Sequence, residues 1–319
     1  MMKGLRLWPL LLALLLLASL GCADCGRVEA ETGEAGSKIV CTSFPCYDFA
    51  RAVAGDAAEL ALLIKPGAEV HSFEPTPLDV RTIAECDLFI CIGGESDAWA
   101  EDILSTFGED APRTLRLIDC VEAVEEEEIE GMTVHAEAGA DGGIEYDEHI
   151  WTSPVNAVRM LEAVRDAFAD VRPELSAVFS ENAEEYLGEI STIDRELRAL
   201  VESAARRELI FGDRFPFLYL AREYGLEYWA AFPSCAAESE PSARTLAFLI
   251  EKVREDGIPA VYRIELSSGR TARTVAEETG AEVLTLQSAQ NVSEADFAAG
   301  ATYVSLMREN IEALRKGLN

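Results

Sequence analysis

The stretch Glu181–Arg206, ENAEEYLGEISTIDRELRALVESAAR, decides how the rest of the chain is read. It has no Pro, one Gly (Gly188) and many good helix formers. Tyr186, Ile190, Ile193, Leu197, Leu200 and Ala204 recur at steps of four and three, which lines one face of a helix. Ser180 or Asn182 can cap its start, acids crowd its first turn, and Arg206 and Arg207 suit the negative end of the helix dipole. Roughly 25 residues at about 1.5 Å each make a rod about 38 Å long, the width of a small domain. With strand and helix patterns alternating on both sides, such a rod predicts a stiff strut between two α/β lobes. An ordinary long helix inside one domain is the plainer alternative.

Outward from the strut, residues 38–172 form the expected first lobe. Strands are expected over Lys38–Thr42, Glu59–Ile64, Asp87–Ile92 and Thr114–Ile118, and helices over Tyr47–Val53, Leu78–Cys86 and Ala98–Thr106. A further helix starts at Ser153 or Asn156 and runs to Val171. Residues 208–319 repeat the pattern as a second lobe, with strands Glu208–Phe211, Glu227–Phe232, Pro259–Ile264 and Glu282–Leu286. Its helices are Phe215–Tyr224, Ala243–Glu255, Thr271–Thr279 and a closing Glu294–Leu318. This alternation predicts an α/β fold in which each lobe has a roughly four-stranded parallel sheet flanked by helices. One long rigid helix within 173–207 joins the lobes, which enclose a cleft. Ligands of such sheets bind outside the carboxyl ends of the strands. Residues 121–148 break the pattern with eleven acidic residues, no Lys or Arg, and the lone His135. They read as a solvated, mobile loop.

The 319-residue chain is 49% hydrophobic and 27% charged, a globular composition suited to two domains. A formal net charge of −31 leaves no basic patch to neutralise phosphates and argues against nucleic acid as a partner. It is compatible with a cation as ligand, although a negative surface also serves solubility alone. Lys3 and Arg6 precede the apolar run Leu7–Leu20 and then Gly21-Cys22. The run is short for a membrane span and gives residues 1–21 the layout of a secretion signal. Ser19-Leu20-Gly21-Cys22 resembles a bacterial lipoprotein cleavage box, in which Cys22 carries the lipid, though that box prefers Leu where Ser19 stands. Loss of Lys3 and Arg6 with the signal leaves 25 basic against 58 acidic residues, a net charge near −33. Residues 22–37, rich in Gly, Glu and Ala, read as a lipid-anchored tether. Among eight cysteines, Cys22 is assigned to lipid and Cys25 lies in the tether. Cys41, Cys46, Cys86, Cys91, Cys120 and Cys235 mostly sit in or beside apolar strands and read as buried thiols. No paired CxxC spacing offers a structural zinc site.

Only three histidines are present. His71 lies in the turn-rich segment Lys65–Pro77, KPGAEVHSFEPTP, after an expected strand. His149 lies in Tyr146–Pro154, YDEHIWTSP, where the acidic stretch re-enters the fold. Both fall near the carboxyl edge of one sheet, within plausible reach of each other. Neutral imidazole is the commonest metal ligand, and nearby carboxylates or carbonyls fix its tautomer. Each histidine alone also suits an ordinary surface or core role.

The segments PGAEVHSFEPTPLDV (66–80), YDEHIWTSPVNA (146–157) and AESEPSARTLAFLIEKV (237–253) resemble, in that order, the solute-binding lipoproteins of zinc and manganese ABC importers. The resemblance runs from Lys38 to the C-terminus and includes the acidic insertion and the long helix. It implies an exported, monomeric, non-enzymatic receptor, lipid-anchored on the outer face of the bacterial cytoplasmic membrane or periplasmic. Such a receptor captures Zn²⁺, or else Mn²⁺, and delivers it to a membrane permease and a cytoplasmic ATPase. The family's site has four ligands, two from each lobe, and His71 and His149 match the first-lobe pair. The second lobe departs. The usual third ligand falls on Arg214, which does not bind metal, so its neighbour Asp213 becomes the candidate substitute. The usual fourth falls near Gln287, a neutral and weaker donor. Glu238, Glu240 and Glu265 are nearby carboxylates with an expected structural role, including pairing with Arg214. The strut would limit closure to a small rocking or local loop ordering. The acidic loop with His135 resembles a His-rich insertion of zinc receptors and either gathers cations loosely or is merely soluble. Competing readings are an adhesin or scaffold with a vestigial metal site, a receptor of this fold for another solute such as an iron chelate, and a metallohydrolase. Against the last, no HExxH pair or nucleophile–base constellation is present.

Overall fold

The apolar runs pair into two sheets. The first holds β1 (Ser37–Cys41), β2 (Ala58–Leu62), β3 (Leu88–Cys91) and β4 (Arg113–Arg116) in the order β2-β1-β3-β4. The second holds β5 (Glu208–Arg214), β6 (Glu227–Phe232), β7 (Ala260–Ile264) and β8 (Glu282–Leu286) in the order β6-β5-β7-β8. Pairing within both sheets is parallel, with Ile39 opposite Leu60 on one side and Leu88 on the other. The two sheets share one topology. In each, the strand order reverses between the first and third strands, the crevice where such folds bind ligands. A computed structural model describes residues 37–133, 145–234 and 240–319 of the chain. The expected secretion signal and nearly all of the tether, together with Cys22, Cys25, His135, Cys235 and Glu238, lie outside the described residues.

The helices are α1 (Phe44–Ala54), α2 (Pro77–Ala84), α3 (Ala98–Phe107), α4 (Pro154–Val171), α5 (Ser176–Ser203), α6 (Leu218–Tyr224), α7 (Ala243–Asp256), α8 (Arg270–Thr279), α9 (Glu294–Ala298) and α10 (Tyr303–Gly317). Ser153, not Asn156, caps α4, its side chain accepting from the Asn156 amide. Each sheet is buried on both faces, which is why its strands are near-continuously apolar. The outer face of the first packs Val40, Phe89 and Cys91 against Ile83 and Ala100 of α2 and α3. The outer face of the second packs Ile210, Phe232 and Val261 against Leu249, Val253 and Val275 of α7 and α8. The inner faces meet one shared core that runs through both lobes and includes Phe49, Phe168, Phe179, Leu209 and Tyr303. Among the described cysteines Cys41, Cys46, Cys86 and Cys91 are buried free thiols and Cys120 a half-buried one.

The strut is α5, 28 residues long. Phe179, Ala183, Ile190, Ile193, Leu197, Leu200 and Val201 bury its inner stripe, while Tyr186 and Ala204 are half-buried. It begins a turn earlier than expected, because Ser176–Ser180 continues the stripe through Phe179. Ser180 and Asn182 therefore lie inside the helix and do not cap it; Asn182 Nδ2 donates instead to the Val53 carbonyl at 3.0 Å. Arg206 falls beyond the helix end and donates to the Gly257 carbonyl at 2.9 Å. The strut is packed along its length by α1 and α4 on the first-lobe side and by α10 on the second. Asp48 of α1, 1% exposed, ties α1, the strut and α10 together. Its carboxylate accepts from the Tyr303 amide at 2.8 Å, from the Tyr186 hydroxyl and from Arg51.

Two further expectations fail. The closing helix is broken after Ala298: Gly300 takes a left-handed φ of 82°, and Thr302 with Ser305 forms a capping box that starts α10 afresh. The acidic stretch is not a free loop over residues 121–133. Its Val121, Val124 and Met132 pack on the shared core. Its acids find partners on the second lobe, with Glu127 meeting Arg222 and, at 3.1 Å, the Tyr228 hydroxyl. The Val124 amide donates to Tyr219 Oη at 3.1 Å, and the Thr133 amide to the Ala231 carbonyl at 2.9 Å. Composition hid this strap because its few apolar residues are spaced among the acids.

Candidate metal centre

Five segments meet where the two sheets' carboxyl edges face each other. The loop after β2 carries His71. Gly67, at φ 80°, lets this loop turn so that its amide donates to the Val292 carbonyl at 2.7 Å. The turn after β3, a 3₁₀ segment Glu95–Asp97, supplies Ser96. Asp97, 3% exposed, holds that turn by accepting from the amides of Ile92 (2.7 Å) and Gly93 (3.1 Å). Asp147, Glu148 and His149 enter at the end of the acidic stretch. The second lobe contributes the end of β5 and the segment after β8.

His71, Glu148 and His149 each offer a ligand atom within 4.8 Å of the others. The imidazole centroids are 5.9 Å apart. His149 is 0% exposed. Its Nδ1 faces Asp147 Oδ1 at 3.0 Å, and its amide donates to the same oxygen at 2.8 Å. That contact turns Nε2 toward the group, where it is buried and has no hydrogen-bond partner. Tyr219 of the second lobe braces the arrangement by donating to the Asp147 carbonyl at 2.7 Å. Glu148 accepts from the Ser96 amide at 2.9 Å and from the Ser96 hydroxyl. Gly94 lies directly against it, and any side chain there would collide with the Glu148 carboxylate. The Ser96 hydroxyl is also 2.8 Å from His71 Nδ1. Because it donates to Glu148, it accepts from His71 Nδ1–H, which leaves the lone pair of His71 on Nε2.

Electrostatics separate the two rings. Burial, then the His149 charge, pushes the His71 pKa down to about 4, with Arg214 adding to the fall. Burial also pulls His149 down, but the charge and hydrogen bond of Asp147 outweigh it and the net shift is upward. A depression of about 640 Å³, lined by Glu95, Glu101, Asp119, Glu145 and Arg116, opens beside Gly94.

The structure thus brings His71 and His149 together and adds Glu148, Ser96 and Asp147, which sequence reasoning missed. Glu148 was legible only as the residue beside His149, one acid among eleven. Asp213 is not in the group. It is 4% exposed and faces a separate recess with Ser267, Ser268 and Thr271, since successive strand residues point to opposite faces. Arg214, 8% exposed, takes the inward position and pairs with Glu69 of the first lobe, not with a second-lobe acid as expected. Gln287 turns away, donating to Glu309 at 2.9 Å, and Glu265 is occupied by the amide (2.6 Å) and hydroxyl of Ser288. Glu240 pairs with Arg270 on the surface at 2.7 Å. The second-lobe side chain that reaches the histidines is Gln290, whose Nε2 is 3.4 Å from His71 Nε2.

Two imidazole nitrogens and a carboxylate oxygen are a donor set for zinc, and with more oxygen for manganese. The chain spans 60% of the length of the zinc-binding lipoprotein AdcA of Streptococcus pneumoniae, with 32% identity over 95% of its own length. It is 28% identical to the high-affinity zinc uptake system protein ZnuA of Bacillus subtilis, over 93% of each chain. The crystal structure of the Zn(II)-bound ZnuA-like domain of S. pneumoniae AdcA superposes with a TM-score of 0.73 at 29% identity, covering 89% of this chain and 99% of that one. Residues 39–317 match the model of the family described as zinc-uptake complex component A, periplasmic. With residues 39–317, nearly all of its described length, matched to that model, the chain belongs to that zinc-uptake component A family.

Proposed function

We propose that this chain is an extracytoplasmic receptor that captures a divalent transition-metal ion, zinc first and manganese second, between its lobes. It passes the ion to an ABC permease and its ATPase and catalyses no reaction. Lipid on Cys22 would hold it at the outer face of the membrane; among the described residues no helix is long and apolar enough to cross one. The observation that carries the reading is the buried, partnerless Nε2 of His149, grouped with His71 and Glu148. A buried nitrogen lone pair without a donor is a cost unless something fills it, and a soft-to-borderline cation fits two imidazoles and one carboxylate. Membership of the zinc-uptake family and the zinc named for the relatives support the same cargo.

The interlobe bonds support capture by local ordering in place of a wide hinge. Trp151 Nε1 donates to the Ser288 carbonyl at 2.7 Å, and Tyr303 Oη to the Trp151 carbonyl at 2.9 Å. The test is calorimetric titration of chelator-stripped protein with Zn²⁺. One equivalent should bind, and His71→Ala or His149→Ala should each weaken it about 100-fold. Parent-like binding by both variants would end the proposal.

A further inference from the structure

Among the described residues the second lobe adds no carboxylate to the metal group, but it sets a guanidinium beside it. Arg214 is placed there by a built strand end. The register of β5 against β6 shifts between Phe211 and Arg214. Gly212 lets α8 press on that shift, since a Cβ there would fall 2.4 Å from the Ala272 backbone. The Arg214 amide donates to Asp213 Oδ1 at 3.0 Å, which fixes the strand end behind the side chain.

The guanidinium is buried but poorly matched. Its terminal nitrogens reach Glu69 only at 3.4 Å each, long against the roughly 2.7–2.9 Å of a well-made charge-assisted bond. The Glu69 side chain is itself half exposed. Arg214 Nε is buried and has no hydrogen-bond partner. The end-on fork to Glu69 leaves the side edge of the guanidinium open. There Nε–H and an outer terminal N–H run parallel, a pairing that a carboxylate or carbonate accepts with two oxygens. Glu69 Oε1 also accepts from the His71 amide at 3.4 Å, so the guanidinium stands one side chain away from His71. Both imidazoles feel its charge.

A guanidinium has no lone pair for a metal, but an oxyanion held on it does. We infer that Arg214 holds a planar oxyanion, carbonate or a carboxylate, that enters with the divalent ion and gives it the anionic oxygen the second lobe lacks. The inference rests on the metal-receptor reading above and deepens it, since the cargo becomes an ion together with an anion. The anion's charge offsets the repulsion between Arg214 and the dication. Its source is either free bicarbonate or the carboxylate of a small amino acid bound to the metal; the chemistry at Arg214 is the same.

The experiment measures Zn²⁺ affinity of the full-length protein by competition with a chromophoric chelator, first in carbonate-free buffer and then with added bicarbonate or glycine. Arg214→Gln, read in the same solutions, corrects for zinc complexed by the anion itself. Arg214→Lys keeps the charge but not the side-on edge. After that correction, one of the two anions should tighten zinc in the parent about tenfold and shift the visible spectrum of bound Co²⁺. Neither variant should show the tightening or the spectral shift. An effect of bicarbonate identifies the free oxyanion, and an effect of glycine alone identifies the carboxylate of a chelate. Unchanged parent affinity and an unchanged Co²⁺ spectrum with both anions would overturn the inference, as would an equal anion effect in the parent and both variants. In either case one-equivalent zinc binding by the parent still upholds the receptor reading. A parent that binds no zinc with or without anion removes both.

Discussion

Arg214, the last residue of β5, grips Glu69 of the first lobe with both terminal nitrogens, each 3.4 Å from one carboxylate oxygen. This fork spans the two lobes beside the histidines and puts a fixed positive charge next to a site read as one for cations. Its field already disfavours the charged form of both imidazoles, and it acts more strongly on a dication. Replacing Arg214 by Gln should therefore tighten zinc by about tenfold, the equivalent of roughly 1–2 kcal/mol for a nearby unit charge at intermediate dielectric. Competition titration of Arg214→Gln against the parent checks this; a weaker or equal affinity would show that the fork helps the site and does not oppose it.

Asp147 acts on the ion through His149, fixing its tautomer and aiming Nε2. Such partners of ligating histidines typically carry about 10- to 100-fold in affinity. Asp147→Asn keeps the shape and loses the charge, so zinc should weaken by that order. Thermal melts of the metal-free variant separate this from a general loss of structure.

The two histidines should titrate in different pH ranges. The ion and the proton compete for the same lone pairs. His149 is raised above its ordinary value of 6.5, so its protonation begins to oppose zinc first as pH falls. His71, pushed down to about 4, stays neutral until the solution is much more acidic. Zinc affinity should thus fall by about tenfold per pH unit between about pH 6 and 5, the slope of one proton. A slope of two protons over that interval would contradict the assignment.

Asp48 holds the lobes to the strut from within the core. Asp48→Ala leaves the Tyr303 amide, Tyr186 hydroxyl and Arg51 without their shared acceptor. Loss of one partner from such a buried network costs about 3–5 kcal/mol, which chemical denaturation will register. Zinc stoichiometry at low temperature should stay at one.

Much of the architecture was legible because burial writes a period into the chain. The strut announced itself through Ile190, Ile193, Leu197 and Leu200, and the strands through runs such as Leu209–Phe211. Helix ends were less legible, since Phe179 belongs to the strut's stripe but sits before the residues that look like caps. His71 and His149 stood out because histidine is scarce here and both lie in turns after the first-lobe strands. Glu148 was masked by its acidic neighbours. Gln290 and Glu69 carry no marker of their own: one is neutral, the other an ordinary surface acid, and only the fold brings them to residues more than a hundred positions away. Asp213 misled because adjacency in sequence is opposition across a strand.

The most direct measurement is anomalous diffraction at the zinc absorption edge from crystals grown with one equivalent of Zn²⁺. The account predicts a single strong peak bonded to His71, Glu148 and His149. A peak at Asp213 or among the acids beside Gly94, with the histidine pair bare, would contradict it.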